Sequence, residues 1–508
     1  MGFIRKNKLL LFCLLLFLVS NIFFQSRFLF NWDAGQLALG TENYSLESHQ
    51  PQAPGYFSFV YLAKFFNFFV NDINLSFILI NIIAALFTIV FLYKLILILS
   101  GREESAFIIT SLFILNPLFW FHHLVALTYN FEALIAVLLS YLTIKQIKGS
   151  GSYNLILSAI LVAIIIGFRP STLIIALPFL LLQFYYSKNK LKDFSLSLLF
   201  FALALLTWLP FFLFKVGGPE SLFNFVIAQA LVAKDTSVYN LNQHLFLLQT
   251  IFYALHLSLI IILFNLVKIF RFLKNNNLLF IPLIILYQLL VYTFFHFGEA
   301  GYLLAVVPLF YLLLIPVIPA EKRKKIVMVA FFFLALSQIY FFLFGFKLVD
   351  NHKIKQLSYL QIKDHDKRVS AWLDFVKKEE AEKTLIVVLR GQYLNPEKKV
   401  SSYPYDDIRL LSYYLPDYRL YDLLGLNNLY FISENYNYSQ YNDNEVNLSS
   451  DINKVVFLAD YIYPEMLPRE LNLQAKKDGV SSDNIYLADF NVDRFEYNGI
   501  IFKKNPKL

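Results

Sequence analysis

Apolar residues come in long runs through the first two-thirds of the chain and in short ones after it. Between Lys8 and Phe346 the apolar runs recur at lengths that cross the roughly 30 Å hydrocarbon core of a bilayer as helices. About eleven spans are predicted, near residues 8–29, 74–98, 105–121, 127–144, 153–168, 171–186, 195–214, 245–267, 278–296, 302–318 and 326–346. At about Val349 the pattern changes to polar, Tyr-rich and Asn-rich sequence. Within it KTLIVVLRG (383–391) and NKVVFLADYIY (453–463) are short β-branched runs between polar segments and predict strands, while VSAWLDFVKKEEAEK (369–383) predicts an amphipathic helix. The expected fold is an all-α polytopic membrane domain over residues 1–349, followed by a smaller soluble α/β domain over residues 350–508.

Two apolar stretches fall outside the spans. FSFVYLAKFFNFFV (57–70) is too short to cross and suits a helix lying in the interface, and GGPESLFNFVIAQALVA (217–233) is similar. The alternative for both is a re-entrant or tilted piece of a span. The first apolar run, Leu9 to Phe24, has no small-x-small site after it and reads as a retained helix rather than a cleaved signal. Gly2 lacks the Ser or Thr that myristoylation needs downstream.

Composition narrows the function classes. The chain is 58% hydrophobic with 55 Phe, which excludes an ordinary water-soluble protein. Its one cysteine, Cys13, excludes a disulfide framework or a cysteine zinc site within the chain. The net charge of +8 divides unevenly, with 23 Lys+Arg against 12 Asp+Glu in residues 1–349 and 21 against 24 in residues 350–508. The basic excess therefore concerns topology and phosphate, not nucleic acid. One set of connections holds 16 basic residues, and the opposite set holds Arg27, Lys64, Arg169, Lys215 and Lys234. The positive-inside rule then puts the N-terminus in the cytoplasm, and an odd number of spans puts the C-terminal domain on the outer side of the plasma or inner membrane. Asn-x-Ser triplets at Asn43, Asn74, Asn437 and Asn447 are expected by chance in an Asn-rich chain.

The chemistry-bearing residues gather in the connections assigned to the outer face. The stretch Asn31 to Tyr56 carries Asp33, Glu42, Glu47 and His49 among the turn formers Pro51, Pro54 and Gly55. Asp33 is either an acid at the membrane face or the N-cap of a short helix starting at Ala34. Glu132 lies about one turn into a span, where a helix N-terminus also favours a carboxylate. Arg169, in GFRPS, is either an interfacial snorkelling arginine or a guanidinium fork for phosphate, with Pro170 at the first position of the next helix. Glu299 stands in the turn HFGEAGYLL with His296 and Tyr302. His122 and His123 face the same side. Sparse His plus carboxylate is compatible with a divalent metal, but no ligand spacing here is diagnostic of one. A carboxylate with a phosphate-binding cation at a bilayer surface suits transfer of a group from a lipid phosphate.

On these residues the chain resembles the GT-C superfamily of polyprenyl-phosphate-sugar-dependent glycosyltransferases, which includes protein O-mannosyltransferases, aminoarabinose lipid A transferases and the bacterial RgtA/B/C/D-like group. The matching features are the acid after the first span in WDAGQ, HQPQAPGY in the same loop, NP at 116–117 ahead of a second acid, GFRPS, and HFGEAGYLL at 296–304. YYLPDYRLY (413–421) is similar to the tail of bacterial members. Where many relatives have paired acids in the first loop, Asp33 is followed by Ala34 and Gly35, and Glu132 stands where relatives often have Asp.

The resemblance implies inverting transfer of one sugar from a polyprenyl-phosphate donor to a lipid, glycan or protein acceptor. Asp33 is then the general base, with Glu132 beside it in the catalytic set. Arg169 holds the donor phosphate with Lys215 or His296 as helpers. His49, Glu299 and Tyr302 position the acceptor. Two other classes stay open: a lipid-linked flippase or transporter, and a non-catalytic envelope scaffold.

Overall fold

A computed structural model describes residues 8–149, 153–234, 241–318, 324–345, 357–389, 408–423, 429–458, 468–471, 473–477, 484–497 and 499–506. The chain forms two compact units. One holds residues 1–25 and 56–361, the other residues 26–55 and 362–508. Residues 31–55, nearly all of the stretch Asn31 to Tyr56, thus belong to the same unit as the C-terminal domain. The composition change at Val349 lies outside the described residues.

The first unit is helical. Among the described residues, five segments are long and apolar enough to cross a membrane: Ile73–Ser100, Asn130–Ile147, Leu241–Phe264, Ala300–Val317 and Val327–Phe344. Two bent pairs raise the number to seven if each is one span, Lys190–Leu205 with Leu209–Lys215 and Leu266–Asn275 with Phe280–Phe294. The described residues thus display five to seven membrane-length segments, fewer than the eleven spans expected. The segments read at 8–29, 153–168 and 171–186 are the shorter helices Lys8–Phe24, Asn154–Ile165 and Thr172–Tyr185. The segment read at 105–121 breaks into Glu103–Ile114 and Pro117–His122, because Asn116 caps the second piece, its side chain accepting from the N–H groups of Leu118 and Phe119. Residues 57–70 and 219–234 are the helices Phe57–Val70 and Pro219–Lys234.

Burial separates the interior of this unit from its outside. Asn130–Ile147 has 78% of its apolar window buried and Ala300–Val317 has 83%, against 22% for Val327–Phe344. The first two are therefore the central elements, and they carry Glu132 and Tyr302. Asn130–Ile147 packs against Ile73–Ser100, Asn154–Ile165 and Thr172–Tyr185.

Among the described residues the second unit has two sheets. The larger has seven strands in the order β4-β3-β2-β1-β6-β8-β7, and the smaller has three in the order β5-β10-β9. The strands are β1 Thr384–Leu389, β2 Arg419–Leu423, β3 Leu429–Glu434, β4 Asn437–Asn442, β5 Glu445–Ser449, β6 Lys454–Leu458, β7 Leu473–Lys477, β8 Asn484–Asp489, β9 Arg494–Tyr497 and β10 Ile500–Asn505. β1 runs parallel to both β2 and β6, with Ile386 opposite Leu420 and Val456. Leu385, Ile386, Val387 and Val388 are all fully buried, so β1 is covered on both faces, as a central parallel strand must be. The predicted helix over 369–383 is Tyr359–Val376, and it buries Ile362, His365, Val369, Trp372, Leu373 and Val376 at helical spacing.

Candidate functional site

Two of the residues singled out from sequence meet in the helical unit. Arg169 donates from Nε to Glu132 Oε1 at 2.5 Å, and the two side chains are 3% and 0% exposed. Arg169 Nη1 donates to Thr128 Oγ1 at 2.7 Å, and Ser171 Oγ donates to the same Glu132 oxygen at 3.0 Å. The guanidinium carbon lies 3.8 Å from the centre of the Tyr129 ring and 4.9 Å from that of Tyr302. Two aromatic faces and a carboxylate thus enclose one cation.

Local sequence explains each placement. Asn81, fully buried in Ile73–Ser100, donates to the carbonyls of Val125 and Leu127 at 2.9 and 2.6 Å, which fixes the turn entering Thr128 and Tyr129. Glu132 sits in the first turn of Asn130–Ile147, where the helix dipole favours a negative charge. Arg169 is aimed by Gly167. A Cβ there would come within 2.3 Å of Ser58 Oγ, and the Ser58 N–H donates to the Gly167 carbonyl at 2.9 Å, so the glycine lets two backbones touch. Phe168 stacks on Phe131 with ring centres 4.6 Å apart. The following helix starts at Thr172, two residues later than Pro170 predicts, and Ser171 binds Glu132 instead of capping it.

Tyr302 lies in a 3₁₀ turn, Ala300–Ala305, whose carbonyl at Tyr302 accepts from Tyr292 at 2.5 Å. Gly301 has no room for a side chain, since a Cβ would fall 2.2 Å from the Tyr129 ring. His296 packs edge-on to Tyr302 and His122 edge-on to Tyr129, at 5.7 and 5.1 Å between ring centres. Glu132, Arg169, Tyr302 and His296 therefore form one neighbourhood. Glu299 precedes its 3₁₀ turn half-buried. Lys215 ends Leu209–Lys215 with its side chain exposed.

The electrostatics follow from burial. Desolvation opposes the Arg169 charge, but the Glu132 carboxylate more than offsets it, and the arginine pKa rises above its ordinary value. The two-pronged phosphate fork expected from GFRPS is not displayed as such, because Nε and Nη1 are already engaged by Glu132 and Thr128. Among the described residues, Nη2 is the edge left by these bonds.

Asp33 and His49 belong to the other unit. Asp33 occupies the first turn of the helix Trp32–Glu42 and is half-buried. It is not the N-cap. Asn31 is, with its side chain accepting from the Ala34 N–H at 3.1 Å. His49 has a left-handed backbone, φ 54°, and its imidazole is held below the ordinary histidine pKa by partial burial and then by the charge of Arg409. Asp33 is thus at the positive end of a helix dipole without the duty of closing that helix.

Among the described residues no three His, Cys, Asp or Glu side chains gather to hold a metal. Sequence reasoning missed Thr128, Tyr129, Ser171, Trp32 and Arg409. The first three flank Glu132 and Arg169 in LTYNFE and GFRPS, so adjacency was the available signal. For Arg409 there was none. No protein-family model and no curated protein matches the chain.

Proposed function

We propose that the chain is a membrane glycosyltransferase that moves a sugar from a polyprenyl-phosphate donor to a hydroxyl acceptor at the outer face of the membrane. The observation that carries this reading is the Arg169 site. A charged guanidinium is fixed by Glu132 and Thr128 between two tyrosine rings, at the junction of the helices Asn154–Ile165 and Thr172–Tyr185. Such a preorganised cation suits a leaving phosphate whose charge develops as the glycosidic bond breaks.

The roles differ from a simple pair of catalytic acids. Glu132 is a positioning residue: its Oε1 accepts from both Arg169 and Ser171 and so holds the guanidinium in place. Asp33 is the base. The acceptor oxygen attacks the anomeric carbon, its proton passes to the Asp33 carboxylate, the bond from carbon to the phosphate oxygen breaks, and the polyprenyl phosphate departs. Inversion follows from a single displacement. Tyr302 and His296 line the approach to Arg169. In this reading the shorter and broken apolar helices complete about eleven membrane-embedded segments, with the N-terminus cytoplasmic and the sheet unit outside, as the 16 to 5 asymmetry of basic residues supports.

A second reading, a lipid-linked flippase, is favoured by two breaks that meet inside the helical unit. Leu241–Phe264 is broken at His256, with φ 20° and ψ −108°, and the freed carbonyl of Ala254 accepts from Asn116 Nδ2 at 2.6 Å, at the other break. Discontinuous helices of this kind occur in transporters. One experiment separates the readings. Purified protein is incubated with a panel of polyprenyl-phosphate sugars and an acceptor extract, and polyprenyl phosphate is measured. Release matched by glycosylated acceptor is expected. Movement of intact donor across vesicles without release would overturn the transferase reading in favour of the flippase.

A further inference from the structure

The helix bearing Asp33 is gripped by a residue from the other end of the chain. Arg409, in the short helix Ile408–Tyr414, is buried, and its guanidinium carbon lies 3.9 Å from the centre of the Trp32 ring. Trp32 is the first residue of the helix and the neighbour of Asp33. One turn on, a Cβ at Gly35 would meet the backbone nitrogen of Leu410 at 2.9 Å and the carbonyl carbon of Arg409 at 3.1 Å. The two helices are therefore in backbone contact, and the arginine closes the contact at its open end.

The rest of the loop is held with the same thoroughness. The Asp366 carboxylate accepts from Ser26 Oγ and from the N–H groups of Arg27 and Phe28, at 3.0, 2.8 and 3.2 Å. Tyr414 OH accepts from the Leu29 N–H at 2.9 Å. Gln50 donates to the Tyr436 carbonyl at 2.6 Å, at the tip of the β3–β4 hairpin. A loop that only covered a membrane domain would have no reason to be built into a sheet domain at so many points.

We propose that Arg409 is the positioning residue for Asp33: lying on the Trp32 ring while its own backbone abuts Gly35, it fixes the first turn from which the acid is presented. This rests on the reading of Asp33 as the base. A planar guanidinium matches an indole face, which an ammonium does not, so the role belongs to arginine in particular. The charge of Arg409 also reaches His49 in the same stretch of chain.

The test uses the full chain in nanodiscs, with Arg409→Gln, Arg409→Lys, Trp32→Leu and Trp32→Phe. Amide hydrogen exchange of the peptide 33–42 is read beside kcat and the donor KM for whichever donor of the panel is turned over. Arg409→Gln and Trp32→Leu are expected to raise exchange in that peptide. They lower kcat by about 10- to 100-fold, the scale of a misplacement acting at a distance, while the donor KM stays within about twofold because donor contacts lie elsewhere. Trp32→Phe keeps a ring and restores most of the rate, and Arg409→Lys restores part. Unchanged exchange in Arg409→Gln and Trp32→Leu would overturn the proposal, as would raised exchange with kcat intact. If Arg409→Gln fails to accumulate, Arg409→Lys and Trp32→Leu decide by the same readings. A wild-type chain silent on every donor would remove the transferase reading, and with it the base that Arg409 serves.

Discussion

Two buried arginines invite comparison. Arg169 and Arg409 each rest on an aromatic ring at nearly the same distance, 3.8 Å for Tyr129 and 3.9 Å for Trp32. Arg169 is engaged by Glu132, three positions from its stacking ring in sequence, at the centre of a helical unit. Arg409 comes from the far end of the chain and holds a loop more than 350 residues away in sequence. The first is an ion pair assembled by neighbouring helices, the second a clasp between two segments of a sheet unit. The difference teaches that a buried guanidinium is a device with two uses. Paired with a carboxylate it makes a rigid charged site, and laid on a ring above a backbone contact it makes a joint.

The sharpest way to break the comparison is to remove Glu132. Glu132→Ala leaves a buried cation without its counter-ion and is expected to cost about 3–5 kcal/mol of stability, read as a large fall in the melting temperature of the protein in detergent. The double variant Glu132→Gln with Arg169→Met should recover much of that, because neither charge is then stranded. A melt for Glu132→Ala close to wild type would mean the pair contributes little.

A smaller effect is expected at the clasp. Gly35→Ala in an exposed helix would stabilise by about 0.5–1 kcal/mol. Here the new methyl meets backbone at 2.9 Å, so the sign reverses to a loss of about 1–3 kcal/mol. Stabilisation by Gly35→Ala would show that the two helices separate at no cost. For the same reason residues 352–508 without residues 26–55 should melt less cooperatively than the two segments together.

How far this was legible in sequence differs between the units. Apolar run length located the long helices at Ile73–Ser100, Asn130–Ile147 and Leu241–Phe264 well, since a membrane imposes length directly. It overran where helices are short or broken, because a break such as that at Asn116 leaves the apolar count unchanged. In the sheet unit, β1 and β6 were legible because strands buried on both faces read as unbroken apolar runs. Strands such as β4, NYSQYN, mix tyrosine with polar residues and carry no such signal. Glu132 and Arg169 were each visible as charges within apolar sequence, while their pairing was not. The joining of residues 26–55 to the C-terminal domain has no local signature, since it depends on contacts such as Arg409 with Trp32 that no spacing encodes.

The smallest effect concerns acidity. His365 is fully buried in Tyr359–Val376, and burial holds its pKa below the ordinary 6.5. The unfolded chain then binds a proton that the folded unit does not, so stability falls as pH drops below about 6.5 and levels off beneath the folded pKa, with a slope of at most about 1.4 kcal/mol per pH unit. Melting curves at pH 7.5 and 5.5 (about one unit either side of that point) should show the loss, and His365→Gln should flatten it. A rise in stability on acidification would contradict the burial of a neutral imidazole.

The central claim is that Asp33 takes the acceptor proton while Arg169 serves the donor phosphate, and one variant tests it most directly. Asp33→Asn keeps shape and hydrogen bonding but removes the proton acceptor. With a donor that wild type turns over, kcat is expected to fall by about 10²–10⁴-fold. The donor KM and the melting temperature should stay close to wild type, because Asn31 and not Asp33 caps the helix. Full transfer by Asp33→Asn, or a lost fold with specific activity retained, would contradict the account.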